Sequence, residues 1–112
     1  MRRAAVFGVA LGGLVAVTAE AAPGDPAAQE LVISNHRFDP AEITVPAGQP
    51  VVIHVRNLDA TAEEFDSSAL KVEKVIGGHG EGLVHVRPLA PGRYEFMGEY
   101  HPGTARGVVV AK

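Results

Sequence analysis

From Glu30 to the C-terminus the chain consists of short β-branched runs separated by Pro/Gly clusters, recurring at about 8 to 12 residues. That punctuation leaves room for an all-β domain and for no helix of useful length. The predicted strands are Leu31 to Ser34, Glu42 to Val45, Val51 to Asn57, Glu64 to Ser67, Glu73 to Ile76, Leu83 to Arg87, Tyr94 to Gly98 and Gly107 to Ala111. Turns are expected at Pro46 to Pro50, in the Gly-rich stretch Gly77 to Gly82, and at Ala90 to Gly92. Successive residues of a strand point to opposite faces, so Val51, Ile53 and Val55 read as inward, with His54 and Arg56 outward. Val84 and Val86 go inward against His85 and Arg87, and Tyr94 and Phe96 inward against Glu95 and Met97. About eight short strands, each with one apolar face, predict a two-sheet β-sandwich, with antiparallel Greek-key pairing as the default.

The N-terminal segment is set aside from that argument. Arg2 and Arg3 precede an apolar, Ala/Gly-rich run from Ala4 to Thr18, followed by Ala19-Glu20-Ala21. This is the pattern of a cleaved secretory signal peptide, residues 1–21. The run is shorter than the roughly 20 residues a permanent membrane span requires. Residues 22–29, with two prolines and no large apolar side chain, read as a flexible tether, leaving 30–112 as the folded domain.

Exported chains of this size often rely on disulfides, yet the chain has no cysteine. Core burial or a bound metal must hold the fold. Without Arg2, Arg3 and Glu20 the chain keeps eight basic and twelve acidic residues, with no Lys/Arg cluster to follow phosphates, so nucleic acid is excluded as a partner. No Ser/His/Asp or Gly-x-Ser-x-Gly arrangement points to a hydrolase, and no catalytic residue is assigned.

The segments Ile43-Thr-Val-Pro-Ala-Gly-Gln-Pro-Val51, Asn57-x-Asp59, Pro91-Gly-Arg-Tyr-Glu-Phe96, His101 and Gly107 together resemble the cupredoxin family over nearly all of 31–111. In plastocyanin-like members a Cys follows the Tyr by four residues, a His comes three later, and a Met lies near the end of the loop. Those places hold Gly98, His101 and Arg106 here, and the first His ligand is replaced in the neighbourhood of Glu63 and Glu64. One type 1 ligand of four survives, and a blue-copper thiolate centre cannot form without its sulfur. Glu64-Phe-Asp-Ser67, Glu73-Lys-Val75 and the loop Phe96-Met-Gly-Glu-Tyr-His-Pro-Gly-Thr-Ala-Arg-Gly107 are similar to a narrower subfamily, the cupredoxin-like proteins associated with iron-uptake permeases.

Alternation alone puts Glu64 and Asp66 on one face, with Phe65 inward. In an extended segment Met97, Glu99 and His101 share another. The expected metal ligands are therefore Glu64, Asp66, Met97, Glu99 and His101, a mixed carboxylate, imidazole and thioether set suited to a copper or iron ion. Glu63 shares the face of Phe65 and stands as the second choice. The bland alternative is that Glu64 and Asp66 are solvated and paired with Lys71 or Lys74, and that Met97 is packing. His54 and His85 would be solvated, or a surface metal pair if their strands are neighbours. His36 and His79 are given no role. Arg106 would pair with the carboxylates or offset an absent ion.

The resemblance implies a periplasmic protein that handles iron and/or copper, assisting oxidation of Fe(II) or delivery of Fe(III) to an inner-membrane iron permease or a periplasmic iron-binding protein. A copper carrier or buffer without redox turnover and a metal-free adaptor are the competing readings.

Overall fold

The computed structural model describes residues 26–112, so the expected signal peptide and the first half of the tether lie outside the described residues. Nine strands form among them: β1 (Ala27–Ser34), β2 (Arg37–Asp39), β3 (Glu42–Val45), β4 (Val51–Asn57), β5 (Glu63–Ser67), β6 (Val72–Ile76), β7 (Glu81–Val86), β8 (Gly92–Gly98) and β9 (Arg106–Ala111). They make two sheets, one ordered β2-β1-β4-β7 and the other β3-β9-β8-β5-β6. The all-β sandwich expected from the punctuation is the observed fold.

Three details differ from the sequence reading. Ala27 to Gln29, expected in the tether, form the first rungs of β1, with Ala27 opposite Val51 and its N–H donating to Pro50 O at 3.0 Å. Backbone pairing needs no large side chain, so composition hides it. Arg37 to Asp39, outside every predicted strand, is a three-residue edge strand carrying buried Phe38. Finally, β1 with β4 and β3 with β9 run parallel, the remaining pairs antiparallel. Side chains alternate with the same period in both arrangements, so alternation carries no information about strand direction.

The inward faces are those the alternation assigns. Val51, Ile53 and Val55 of β4 meet Val84 and Val86 of β7 beside Leu31 and Ile33, all buried. The opposing sheet contributes Ile43, Val45, Phe65, Ile76, Phe96 and Val109. Phe65 and Phe96 stack at 4.7 Å between centroids, and Phe38 meets both edge-on, a favoured arrangement for aromatic quadrupoles. Tyr94 is half-buried, and its hydroxyl donates to Ala90 O across the Pro91-Gly92 turn at 2.8 Å.

One buried polar residue positions the functional end of the sandwich. Asn57, 1% exposed, donates from Nδ2 to Thr61 O, Ile76 O and Gly77 O at 2.9 to 3.2 Å and accepts from Asp59 N at 2.9 Å. These bonds curl the chain after β4 so that the Asp59 carboxylate receives the Asn35 and His36 amides of the β1–β2 turn, at 2.8 and 2.9 Å.

Candidate functional site

Strand β5 carries carboxylates on both of its faces, and the two faces have different fates. Glu64 and Asp66 point away from the core, half-exposed, while Glu63, Phe65 and Ser67 point inward and are buried. By register Met97 of β8 and Glu73 of β6 stand on either side of Asp66. The Glu99 N–H donates to Glu64 O at 2.9 Å, extending the β8–β5 pairing by one step and keeping Glu99 beside the same outer face. Glu64, Asp66, Glu73 and Glu99 thus share an open acidic patch with Met97 at its margin. None of these carboxylates forms an ion pair with Lys71 or Lys74 among the described residues.

Crowding of like charge shows in the proton affinities. The Glu99 carboxyl is held above the ordinary glutamate value chiefly by a hydrogen bond to Asp66, then by the Asp66 charge, with desolvation, Glu64 and Glu73 adding to it. Glu64 is raised mainly by desolvation and then by Glu73, Asp66 and Glu63. A carboxyl whose folded value is raised favours the native state below its unfolded value near 4.5 and loses that advantage as pH rises through the folded value. Glu64→Gln removes the repulsion. Its melting temperature should therefore lie slightly above wild type at about pH 7, with the gap closing at about pH 4, as thermal unfolding at the two pH values would show.

The inward face holds a different arrangement. Glu63 is 1% exposed. Its Oε1 accepts from Glu64 N at 3.0 Å and Tyr100 N at 2.9 Å, and its Oε2 lies 2.6 Å from His101 Nδ1. Residues 99 and 100 turn the chain after β8, so His101 arrives on the core side, tied by its N–H to Gly98 O and by its carbonyl to Thr104 N and Ala105 N. A Cβ built on Gly98 would fall 2.5 Å from Glu63 Cδ and 2.6 Å from Ala105 Cβ. Glycine is needed there because the Glu63 carboxyl fills the space beside it. The His101 ring stacks on His36, centroids 3.6 Å apart and planes 8° from parallel.

Of the five expected ligands, the structure brings Glu64, Asp66, Met97 and Glu99 to one face and separates His101 from them. The expectation that His101 continues the face of Met97 and Glu99 is corrected: β8 ends at Gly98, and the following turn reverses the parity. Glu63 and His36, outside the expected ligand set, are the residues that meet His101. The signal for Glu63 was in the sequence, since it has the inward parity of Phe65 and stands where the resemblance expects a first His. His36 occupies the second position of a two-residue hairpin turn, where Asn-Gly is the usual marker, so Asn35-His36 passes unrecognised.

Two other polar residues depart from their expected roles. Arg106 neither joins the carboxylates nor reaches Glu63; its Nε donates to Pro102 O at 2.8 Å. On the other sheet, His54 faces Leu83 rather than His85, and instead of a histidine pair its ring lies between Glu30, at 3.1 Å, and Glu81. Hydrogen bonds to Glu81 first and Glu30 second raise its proton affinity.

Three of the four positions where the resemblance places type 1 ligands are therefore changed, and Glu63 occupies the volume next to Gly98. The residues present do not fit a type 1 copper. Among the described residues no three His, Asp or Glu side chains are arranged to enclose an ion as they stand.

The comparisons agree with the architecture. The model of the cupredoxin-like domain matches residues 7–111. Among solved structures, auracyanin A, a blue copper protein of Chloroflexus aurantiacus, superposes with a TM-score of 0.63 at 20% identity, covering 79% of this chain and 100% of that one. The metal-binding domain of the Cu(I)-exporting P-type ATPase CopA of Streptococcus pneumoniae D39, solved with Cu(I), superposes with a TM-score of 0.68 at 18% identity, over 76% of this chain and 84% of that one. An uncharacterized protein, RP394, of Rickettsia prowazekii is 35% identical over 81 residues, which is 72% of this chain and 65% of that protein's length. With the sandwich, the loop after β8 and the family match in agreement, the chain belongs to the cupredoxin-like domain family.

Proposed function

We propose that this protein is an exported carrier that takes up an iron or copper ion and passes it to an inner-membrane iron permease or a periplasmic iron-binding protein, the ion being cargo held by Glu64, Asp66 and Glu99 with Met97 beside them. The observation that carries this reading is the uncompensated acidic patch on the outer face of β5 and β8, next to a type 1 position closed by Glu63. Hard anionic oxygens favour Fe(III) over Fe(II), so such a patch would lower the potential of the bound ion and make Fe(II) easier for an external oxidant such as dioxygen, which takes up the electron, to oxidise. An open face without a preformed cage suits loading and release better than permanent retention. Met97 is the feature that favours copper, the second reading, because a thioether is a soft ligand.

Thermal unfolding of the protein with EDTA, soluble Fe(III) chelate, Cu(II) and Zn(II) tests this. A ligand that binds only the native state stabilises it by about 2.7 kcal/mol at a hundredfold excess over Kd. The expected result is a rise in melting temperature with Fe(III) or Cu(II), lost in the combined Glu64→Gln, Asp66→Asn, Glu99→Gln variant. No rise with any ion would leave the metal-free adaptor in its place. A rise undiminished in the variant would put the cargo elsewhere.

A further inference from the structure

Strand β7 closes one side of its sheet and has β4 as its single neighbour among the described residues. One hydrogen bond fixes how its outer edge is built. Asn57 N donates to Gly80 O at 2.8 Å, and residues 57 and 80 continue the register in which Arg56 lies opposite Glu81. An antiparallel pair exchanges its backbone bonds at every second residue. Gly82, Val84 and Val86 therefore turn their N–H and C=O groups toward β4, while Glu81, Leu83 and His85 turn theirs away, where no partner meets them among the described residues. The same three residues carry exposed side chains on the outer face, with Val84 and Val86 buried between them.

An unpaired edge is a template for another strand, and proteins ordinarily blunt it with lysine, proline or a bulge. The run Glu81-Gly-Leu-Val-His-Val86 contains no lysine or proline. At its centre stands Leu83, 49% exposed. Gly82 faces inward, where the place of a Cβ lies 2.9 Å from Ile76 Cδ1 and 3.3 Å from Lys74 Cε, so these side chains support the strand from beneath.

We infer that β7 is a self-association edge, pairing antiparallel with β7 of a second copy of this chain about a two-fold axis at Leu83. A contact of this symmetry must be complementary to itself. With the axis at Leu83, the outward N–H and C=O groups of residues 81, 83 and 85 meet those of residues 85, 83 and 81 of the second copy. Each Leu83 covers the other. Each Glu81 stands opposite a His85 imidazole, whose ring N–H a carboxylate accepts, and Glu81 has Oε2 to offer because His54 bonds to Oε1. Moving the axis to residue 82 or 84 sets Leu83 opposite Glu81 or His85. Moving it to 81 or 85 sets glutamate on glutamate or histidine on histidine. The pattern of the edge thus selects both its occupant and its register. The sheet β2-β1-β4-β7 continues across the axis into its twin, and the inference does not depend on the carrier reading.

Sedimentation velocity over a concentration series up to the millimolar range reads the association, and a dimer is expected. Leu83→Lys puts like charges on the axis in place of an apolar contact and should weaken the dimer at least about tenfold. The side chain replaced is exposed, so the fold is kept, as circular dichroism checks. Because the chain has no cysteine, single cysteines map the register. Opposite residues of a bonded pair have Cα atoms about 5.5 Å apart, within disulfide reach, whereas the two copies of residue 81 or of residue 85 would lie more than about 13 Å apart. Mild oxidation should link Leu83→Cys into a covalent dimer and leave Glu81→Cys and His85→Cys unlinked. A monomer at every concentration, a dimer indifferent to Leu83→Lys, or linkage at 81 or 85 in preference to 83 would each overturn the edge. So would slow hydrogen exchange of the Leu83 amide in a monomeric sample, which would mean that a segment of the same chain pairs with β7.

Discussion

Glu63→Ala should lower the melting temperature by at least about 12 °C, the largest loss expected from any single truncation at this end of the sandwich. The side chain is 1% exposed and satisfies three donors: the N–H groups of Glu64 and Tyr100, and His101 Nδ1. Removing it strands two backbone donors beside β5, at about 1–3 kcal/mol for each group left unsatisfied, and takes the hydrogen-bond partner from His101 Nδ1, at about 1 kcal/mol. For a domain of this size each kcal/mol corresponds to about 4–8 °C. Glu63→Gln separates the contributions. Its amide oxygen can still accept from Glu64 and Tyr100, while its NH₂ faces His101 and obliges the imidazole to change tautomer. It should therefore recover most of the stability lost by the alanine variant. Thermal unfolding of both variants by circular dichroism decides it: a glutamine variant no better than alanine would show that the backbone bonds are not what Glu63 supplies.

Glu63 also shows why part of this protein was legible in sequence and part was not. Period-two alternation identified the inward residues of β4, β7 and β8 and the outward pair Glu64 and Asp66, because burial of a strand face is imposed residue by residue. The same alternation, carried past Gly98, misplaced His101, since nothing in Met97-Gly-Glu-Tyr-His101 marks the turn at residues 99 and 100. The pairing directions of β1 and β3 were invisible for a related reason: they depend on which strands become neighbours, a tertiary choice. Asn35-His36 was hidden because a tertiary lock from Asp59 and Thr104 maintains a turn that local propensity would give to Asn-Gly. The acidic patch was found and the histidine stack was not, because the patch follows from one strand's parity and its neighbour's register. The stack requires two loops 65 residues apart in sequence, at positions 36 and 101, to close on each other.

The closed type 1 position supports a prediction of gain rather than loss. If the Glu63 carboxyl occupies the place of a metal ligand, installing a thiol beside it cannot create a copper centre until that carboxyl is gone. Gly98→Cys alone forces a Cβ to within 2.5 Å of Glu63 Cδ and 2.6 Å of Ala105 Cβ, distances that require the neighbours to move. The expected result is a destabilised protein without thiolate-to-copper colour. Combining Gly98→Cys with Glu63→His and Ala105→Gly removes the Ala105 methyl from the path of the new Cβ, exchanges the Glu63 carboxyl for an imidazole that can turn toward an ion, and frees His101 Nδ1. Two imidazoles and a thiolate would then converge as in a trigonal blue-copper site, with the axial position left weak because Arg106 offers no thioether. The triple variant should take up Cu(II) and develop an intense visible band, measured by absorption titration. Equal colour in the Gly98→Cys protein would mean that Glu63 is not the group that closes the site. No colour in the triple variant, with its fold retained, would mean that the loop after β8 holds residues 63, 98 and 101 too far apart to share an ion.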